Sequence, residues 1–304
     1  MLLLSAVIVL VWHIRTSSIP FLILSGFLFG LSILCRPIAT FLPLGIAIFL
    51  MWKFKPRFVR AGIFLVACYF TVSPWIVRNQ LVFGKPFISS IGNINLLLHT
   101  AASVKAEAEG LSTAEARNEI YDLLRTEQKW KKNEEAIAPF IEKCNREGLK
   151  ILKSHPVIFV KQTALSFAYF FVKPMRNSID LMFGINKYWH DPIMGLAEKE
   201  TGQSKFEQFK NNTSSLTIAL VIIQLLMILI SGALALFTIY TNLKTSTFWM
   251  VMLVAVILYF GVTSSITEVE GRMRIPVLPF WYMLSALGVG KAANLRINPG
   301  LQKT

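Results

Sequence analysis

The chain has 304 residues, of which 54% are apolar and 16% charged, with a formal net charge of +14. A soluble domain carries about a quarter of its residues as charged side chains, so this composition excludes an ordinary water-soluble globule. In an apolar chain an excess of Lys and Arg marks the cytoplasmic ends of membrane spans, and no nucleic-acid partner is expected.

All of the 17 acidic residues except Glu268 and Glu270 fall between Arg78 and Thr213. Apolar blocks free of acid on either side of a charge-rich centre predict an all-α fold: a polytopic transmembrane helical bundle with a mostly helical extracytoplasmic loop inserted. The expected organisation is N-terminal membrane helices over 1–77, a loop over 78–213, C-terminal membrane helices over 214–290 and a basic cytoplasmic tail over 291–304.

In chain order the apolar runs are Met1–Trp12, Ile19–Leu34, Ile38–Trp52, Phe58–Val77, Leu216–Tyr240, Phe248–Ser265 and Ile275–Val289. The first is too short to span and has neither the basic start nor the small-residue cleavage site of a signal peptide. It reads as the end of a helix whose beginning is absent, so the chain is expected to be the C-terminal portion of a longer protein. Lys53, Lys55, Arg57 and Arg60 form a connection without acid, which the positive-inside rule assigns to the cytoplasm together with Arg15, Lys244, Lys291, Arg296 and Lys303. The large loop, the Cys35–Pro37 turn and the Glu268–Arg274 segment then share the opposite side.

Within the loop, Ser112 and Glu115 match a capping box that opens a helix through roughly Trp130. A second helix carries Ile137, Phe140, Ile141, Cys144, Leu149 and Leu152 on one face, with Pro139 in its first turns. Pro156–Val172 is apolar enough to span, but Lys161, Gln162 and Ser166 form a polar strip at helical spacing. It is read as a helix lying in the outer interface and closed by Lys173 and Pro174; a spanning arrangement would invert everything after it. Phe83–Asn95 and Lys173–Gly195 read as irregular connections. Cys35, Cys68 and Cys144 form no disulfide framework, and His13, His99, His155 and His190 lack metal-ligand spacing, so no metal or cofactor is assigned.

No Gly-rich phosphate loop, HExxH or GxSxG motif is present, so any chemistry must come from dispersed side chains. Arg36 (in LCRPIAT), Arg78 and Asn79 (in SPWIVRNQ), and Glu268, Glu270, Arg272 and Arg274 (in ITEVEGRMRIP) gather at helix ends on the loop side. A guanidinium there offers a fixed fork of donors and a permanent charge, which suits a phosphate. The structural alternative is that these arginines snorkel to headgroups and pair with Glu268 and Glu270. Arg272 and Arg274 are two residues apart, so one is expected to serve the ligand and the other the protein. Asp180, Asp191 and His190 stand in the less helical part of the loop with no distinguishing spacing. Tyr188 and Trp189 are suited either to stacking on a sugar or to the interface.

Three phrases, GLSILCRPIATFLPL, SPWIVRNQLVFGKPFISSIGNINLL and EGRMRIPVLPFWYMLSALGVG, together resemble the C-terminal half of bacterial GT-C membrane glycosyltransferases. The nearest type is glycosyltransferase family 39, the protein-mannosyltransferase-like and aminoarabinose-transferase-like enzymes. The resemblance implies transfer of a sugar from a polyprenyl-phosphate carrier to a protein, lipid or glycan acceptor at the outer face of the bacterial inner membrane. It implies Arg272 and Arg274, with Arg36 or Arg78, as ligands of the carrier phosphate, Glu268, Glu270 and Asn79 as supporting residues, and membrane lipids as surroundings. The family's catalytic acid belongs to a first external loop that no residue here matches, so no catalytic residue is assigned. A transporter, an assembly subunit and a carrier-lipid glycan polymerase or ligase are the competing readings; charge at helix ends and unlike halves favour the glycosyltransferase.

Overall fold

The computed structural model describes residues 1–127, 137–175, 179, 182, 215–242, 248–267 and 271–292. Among these residues every regular element is helical, and two compact units are present. One comprises Met1–Gln162 with Ile266–Glu268, the other Thr163–Ser265 with Val269–Thr304.

The first unit begins with four apolar helices, α1 (Leu2–Thr16), α2 (Ile19–Cys35), α3 (Leu42–Lys53) and α4 (Arg57–Phe83). Pro20 and Pro43 sit in the first turns of α2 and α3, where a missing N–H costs no helical hydrogen bond. Two glycines set the α2–α4 contact. A Cβ on Gly26 would lie 2.7 Å from the Phe64 carbonyl oxygen, and one on Gly30 would lie 2.5 Å from that of Cys68. The contacts ascend together along both helices, so α2 and α4 run parallel with α3 returning between them. Pro74 lies inside α4 and leaves the Phe70 carbonyl without its usual donor; the Ser73 hydroxyl donates to it at 2.8 Å. Helix α4 also continues past Val77, so Arg78 and Asn79 stand within it rather than beyond its end.

The loop helices follow in the same unit. A near-continuous rod consists of α5 (Ile91–Asn95), a π-helical stretch (Leu96–Ala101) and α6 (Ala102–Glu109). The expected irregular connection Phe83–Asn95 is therefore helical from Ile91 onward. The capping box opens α7 (Thr113–Glu127): the Ser112 N–H donates to Glu115 Oε2 at 2.8 Å, and the Glu115 N–H donates to Ser112 Oγ at 3.2 Å. Helix α8 (Ile137–Ser154) buries Ile141, Cys144 and Leu152. Leu149 is exposed, and Gly148 takes the inward position, letting α8 close on the backbone of Leu97. Leu97, Leu98, Ala101, Val104, Ile120 and Leu124 complete this core.

Helix α9 (Pro156–Val172) begins in the first unit and ends in the second. Its polar strip does not form a bare water-facing edge. Lys161 Nζ donates to Glu107 Oε1 at 2.7 Å, and Gln162 Nε2 donates to the Ser103 carbonyl at 3.2 Å and to Glu107 Oε2 at 2.8 Å. Ile158 and Phe159 pack on the loop core, while Val157, Val160, Leu165 and Tyr169 are exposed.

The second unit holds the end of α9 with α10 (Ser215–Thr241), α11 (Phe248–Thr267, nearly all of it) and α12 (Leu278–Ala292). Small residues join α10 to α12. A Cβ on Gly288 would lie 2.5 Å from the Leu234 carbonyl, the Thr238 hydroxyl donates to the Leu284 carbonyl at 2.7 Å, and Ser285 Oγ donates to the Ser231 carbonyl at 2.8 Å. Close approach of this kind is how apolar helices associate where lipid removes the hydrophobic drive. Two helices, α4 and α10, are long and apolar enough to cross a membrane. Each has 27 residues, about 40 Å at ~1.5 Å per residue against a hydrocarbon core of ~30 Å.

Candidate functional site

In the first unit Arg36 and Arg78 lie toward the same end of the helices, because α2 and α4 run parallel in a register that carries Arg36 to the level of the Trp75–Arg78 turn. Arg36 breaks α2: its backbone is extended, with φ −142°, and its N–H still donates to the Ser32 carbonyl at 2.9 Å. Pro37 follows and excludes helical geometry at Arg36, which is why a charged residue lands at this bend. Among the described residues its half-buried guanidinium has no hydrogen-bond or ion-pair partner.

Arg78 is set more firmly. Its guanidinium stands 5.0 Å from the Trp75 ring and 5.5 Å from the Phe83 ring, and Nη1 donates to Asn79 Oδ1 at 2.9 Å. Asn79, 1% exposed, donates through Nδ2 to the Phe87 carbonyl at 2.7 Å, and Trp75 Nε1 donates to the Ile88 carbonyl at 2.9 Å. Trp75 and Asn79 therefore fold the chain after Gly84 back onto α4. No carboxylate offsets the Arg78 charge among the described residues, so most of its donors stay open to an anion.

In the second unit Arg272 and Arg274 occupy a short 3-10 turn, Gly271–Arg274. Arg274 is 4% exposed. Its Nη1 donates to the Phe171 carbonyl at 2.8 Å and its Nη2 to the Lys173 carbonyl, both at the C-terminal end of α9. A cation at that end meets carbonyls with no helical donor and the negative end of the helix dipole. Burial pulls the guanidinium below its ordinary pKa, but arginine starts so high that it stays charged. Its Nε is buried with no partner among the described residues. Arg274 thus gives two of its five N–H donors to the protein and keeps the others, the buried Nε among them, without a partner among the described residues.

That side chain lines a cavity of about 350 Å³ with Met175, Leu220, Gln224, Leu278 and Tyr282. Gln224 is the single amide or charged side chain in the run Leu216–Tyr240, and its Oε1 accepts the Met175 N–H at 2.7 Å. It was legible in the sequence as a polar interruption of an apolar helix, but only tertiary contact gives it a place. Ile228 borders this cavity and also a second one of about 530 Å³, whose walls are apolar and include Phe171, Gly232, Val254, Ile257 and Trp281.

Glu268 and Glu270, and with them Asp180, Tyr188, Trp189, His190 and Asp191, lie outside the described residues. No group of three or more His, Cys, Asp or Glu side chains suited to a metal comes together among the described residues. The chain matches no family model, no curated protein and no solved structure.

Proposed function

We propose that the chain is a polytopic membrane glycosyltransferase of the bacterial inner membrane, or the carrier-binding part of one, that moves a sugar from a polyprenyl phosphate to an acceptor on the outer face. The observation that carries the reading is the pair of cavities meeting at Ile228: one bears the Arg274 guanidinium with Gln224 and Tyr282, the other is a larger apolar space. An isoprenoid phosphate has this division, a charged head on a long hydrocarbon chain. A guanidinium beside the leaving phosphate stabilises charge as it develops there. The membrane placement is supported by α4 and α10, by the outward Leu226, Leu229, Ile230 and Leu236 of α10, and by the shorter apolar helices. Helix α9 then lies with its exposed apolar side against the bilayer and its polar strip toward the loop helices.

The test uses the complete protein in lipid nanodiscs and a photoreactive polyprenyl phosphate. Crosslinks are expected at the residues around Ile228 and Trp281, with loss of specific crosslinking in Arg274→Ala and Ala233→Trp. Unchanged crosslinking and unchanged sugar transfer in both variants would overturn the proposal.

A further inference from the structure

At the opposite end of the first unit's helices, α1, the α3–α4 connection and the start of α4 converge on Phe54. The His13 ring lies 5.3 Å from the Phe54 ring, centroid to centroid, and the Arg60 Cζ sits 4.3 Å from the same centroid. His13 is fully buried; its Nδ1 is 2.7 Å from the Ser18 carbonyl, and its Nε2 has no partner among the described residues. Arg60 has no hydrogen-bond or ion-pair partner among the described residues, and its Nη1 is buried. The wall around Phe54 thus carries two nitrogens whose hydrogen-bonding capacity the chain leaves unmet. Burial of Nη1 and stacking on Phe54 hold the guanidinium in one orientation and leave its other nitrogens accessible.

Among the described residues the charge of Arg60 also lacks a counter-ion. Arg15, Lys53, Lys55 and Arg57 surround this end, and no acidic residue occurs before Glu107. Trp12, Trp52 and Phe58, at 54%, 76% and 79% exposure, ring the same end. Exposed aromatics beside basic residues mark the headgroup level of a bilayer. Basic pockets between membrane helices at such a level take anionic lipid headgroups.

We infer that Arg60, held on Phe54, binds the phosphate of an anionic phospholipid headgroup at the basic end of the first unit. Lys55 and Arg57, exposed on the same connection, supply a diffuse attraction, whereas Arg60 supplies the directed contact. The inference needs the membrane placement proposed above but not the transfer reaction.

The full chain is reconstituted in nanodiscs of phosphatidylcholine with added phosphatidylglycerol, and the retained lipid is counted by native mass spectrometry. Wild type is expected to retain phosphatidylglycerol in preference to phosphatidylcholine. Arg60→Gln should weaken that preference about tenfold, the scale of a lost charged hydrogen bond. Arg57→Gln and Lys55→Gln should change it by no more than about twofold, as exposed charges do. Inorganic phosphate should not displace the lipid; displacement would identify a free-phosphate site and overturn the lipid assignment. Equal losses in all three variants would reduce the effect to diffuse electrostatics and overturn the proposal. So would an Arg60→Gln variant whose Tm falls equally in both lipids with the preference intact, because Arg60 would then act only in packing. Should Arg60→Gln fail to fold, Arg60→Lys keeps the charge but loses the planar stack, and full phosphatidylglycerol preference in it overturns the directed contact. Cysteine labels at Leu229 and Ile230, read with a lipid-borne quencher, separate the two proposals: quenching there keeps the membrane placement even if the Arg60 site fails.

Discussion

Replacing Gly30 by alanine tests the packing that holds the first unit together. The added Cβ would lie 2.5 Å from the Cys68 carbonyl oxygen and 2.6 Å from the Thr71 Cβ, whereas ordinary contact begins near 3.4 Å. The shortfall is about 0.9 Å against a helix backbone, which cannot swing aside as a side-chain tip does, in an interior packed to crystal density. Helices α2 and α4 must separate, loosening the buried Phe29 and Phe64 rings that meet at 5.5 Å beside the contact. Overpacking of this kind costs about 1–3 kcal/mol. Gly62 is the matched control: it also lies in a helix, α4, and an added Cβ there meets nothing within 4 Å. Gly62→Ala should be neutral or stabilising by up to ~1 kcal/mol through helix propensity. Thermal melting of both variants in one detergent gives the comparison. Equal stability of Gly30→Ala and Gly62→Ala would refute the close α2–α4 approach.

Other outcomes follow from the loop helices and from the cavities. Ser112→Ala should cost the loop about 1 kcal/mol by removing the N-cap of α7, measurable by hydrogen exchange of the Glu115 amide. The Ser112 N–H holds the Glu115 carboxyl below its ordinary value of 4.5. Its contribution is therefore fully present above 4.5 and lost as pH falls through the lower folded value, and the protection of α7 amides relative to their intrinsic exchange rate should fall on acidification in wild type but less so in Glu115→Gln. Burial pushes the Cys144 thiol up to about 11, so maleimide at neutral pH should leave it unlabelled until the loop unfolds. Ready labelling of the folded chain at Cys144 would contradict the packing of α8. Ala233→Trp, at the wall of the larger cavity, should lower carrier crosslinking while leaving Tm within a few degrees of wild type.

Much of the helical layout was legible from one-dimensional pattern. Apolar runs located α1 to α4 and α10 to α12, Ser112 and Glu115 announced the start of α7, and the 3.6-residue spacing of Ile141, Cys144 and Leu152 located the face of α8. Such signals are local, since each depends on residues within one or two turns. The rod from Ile91 through Glu109 escaped notice because Gly92, Asn93 and Asn95 favour turns, and only burial of Leu97, Leu98 and Ala101 against α8 overrides them.

The candidate site divides in the same way. The sequence alone placed Arg36 at a break between apolar runs, because Pro37 excludes helical geometry there, but it set Arg78 at a helix end that α4 runs past. It could not determine which arginine gives donors to the protein's own backbone. That depends on where the end of α9 arrives: its Phe171 and Lys173 carbonyls, about a hundred residues away in sequence, take two of the Arg274 donors. The same holds for Arg60, an ordinary member of a basic connection until Phe54 and His13 are brought beside it. Residue type is local, but partnership comes from packing between distant segments, and only the tertiary structure decides it.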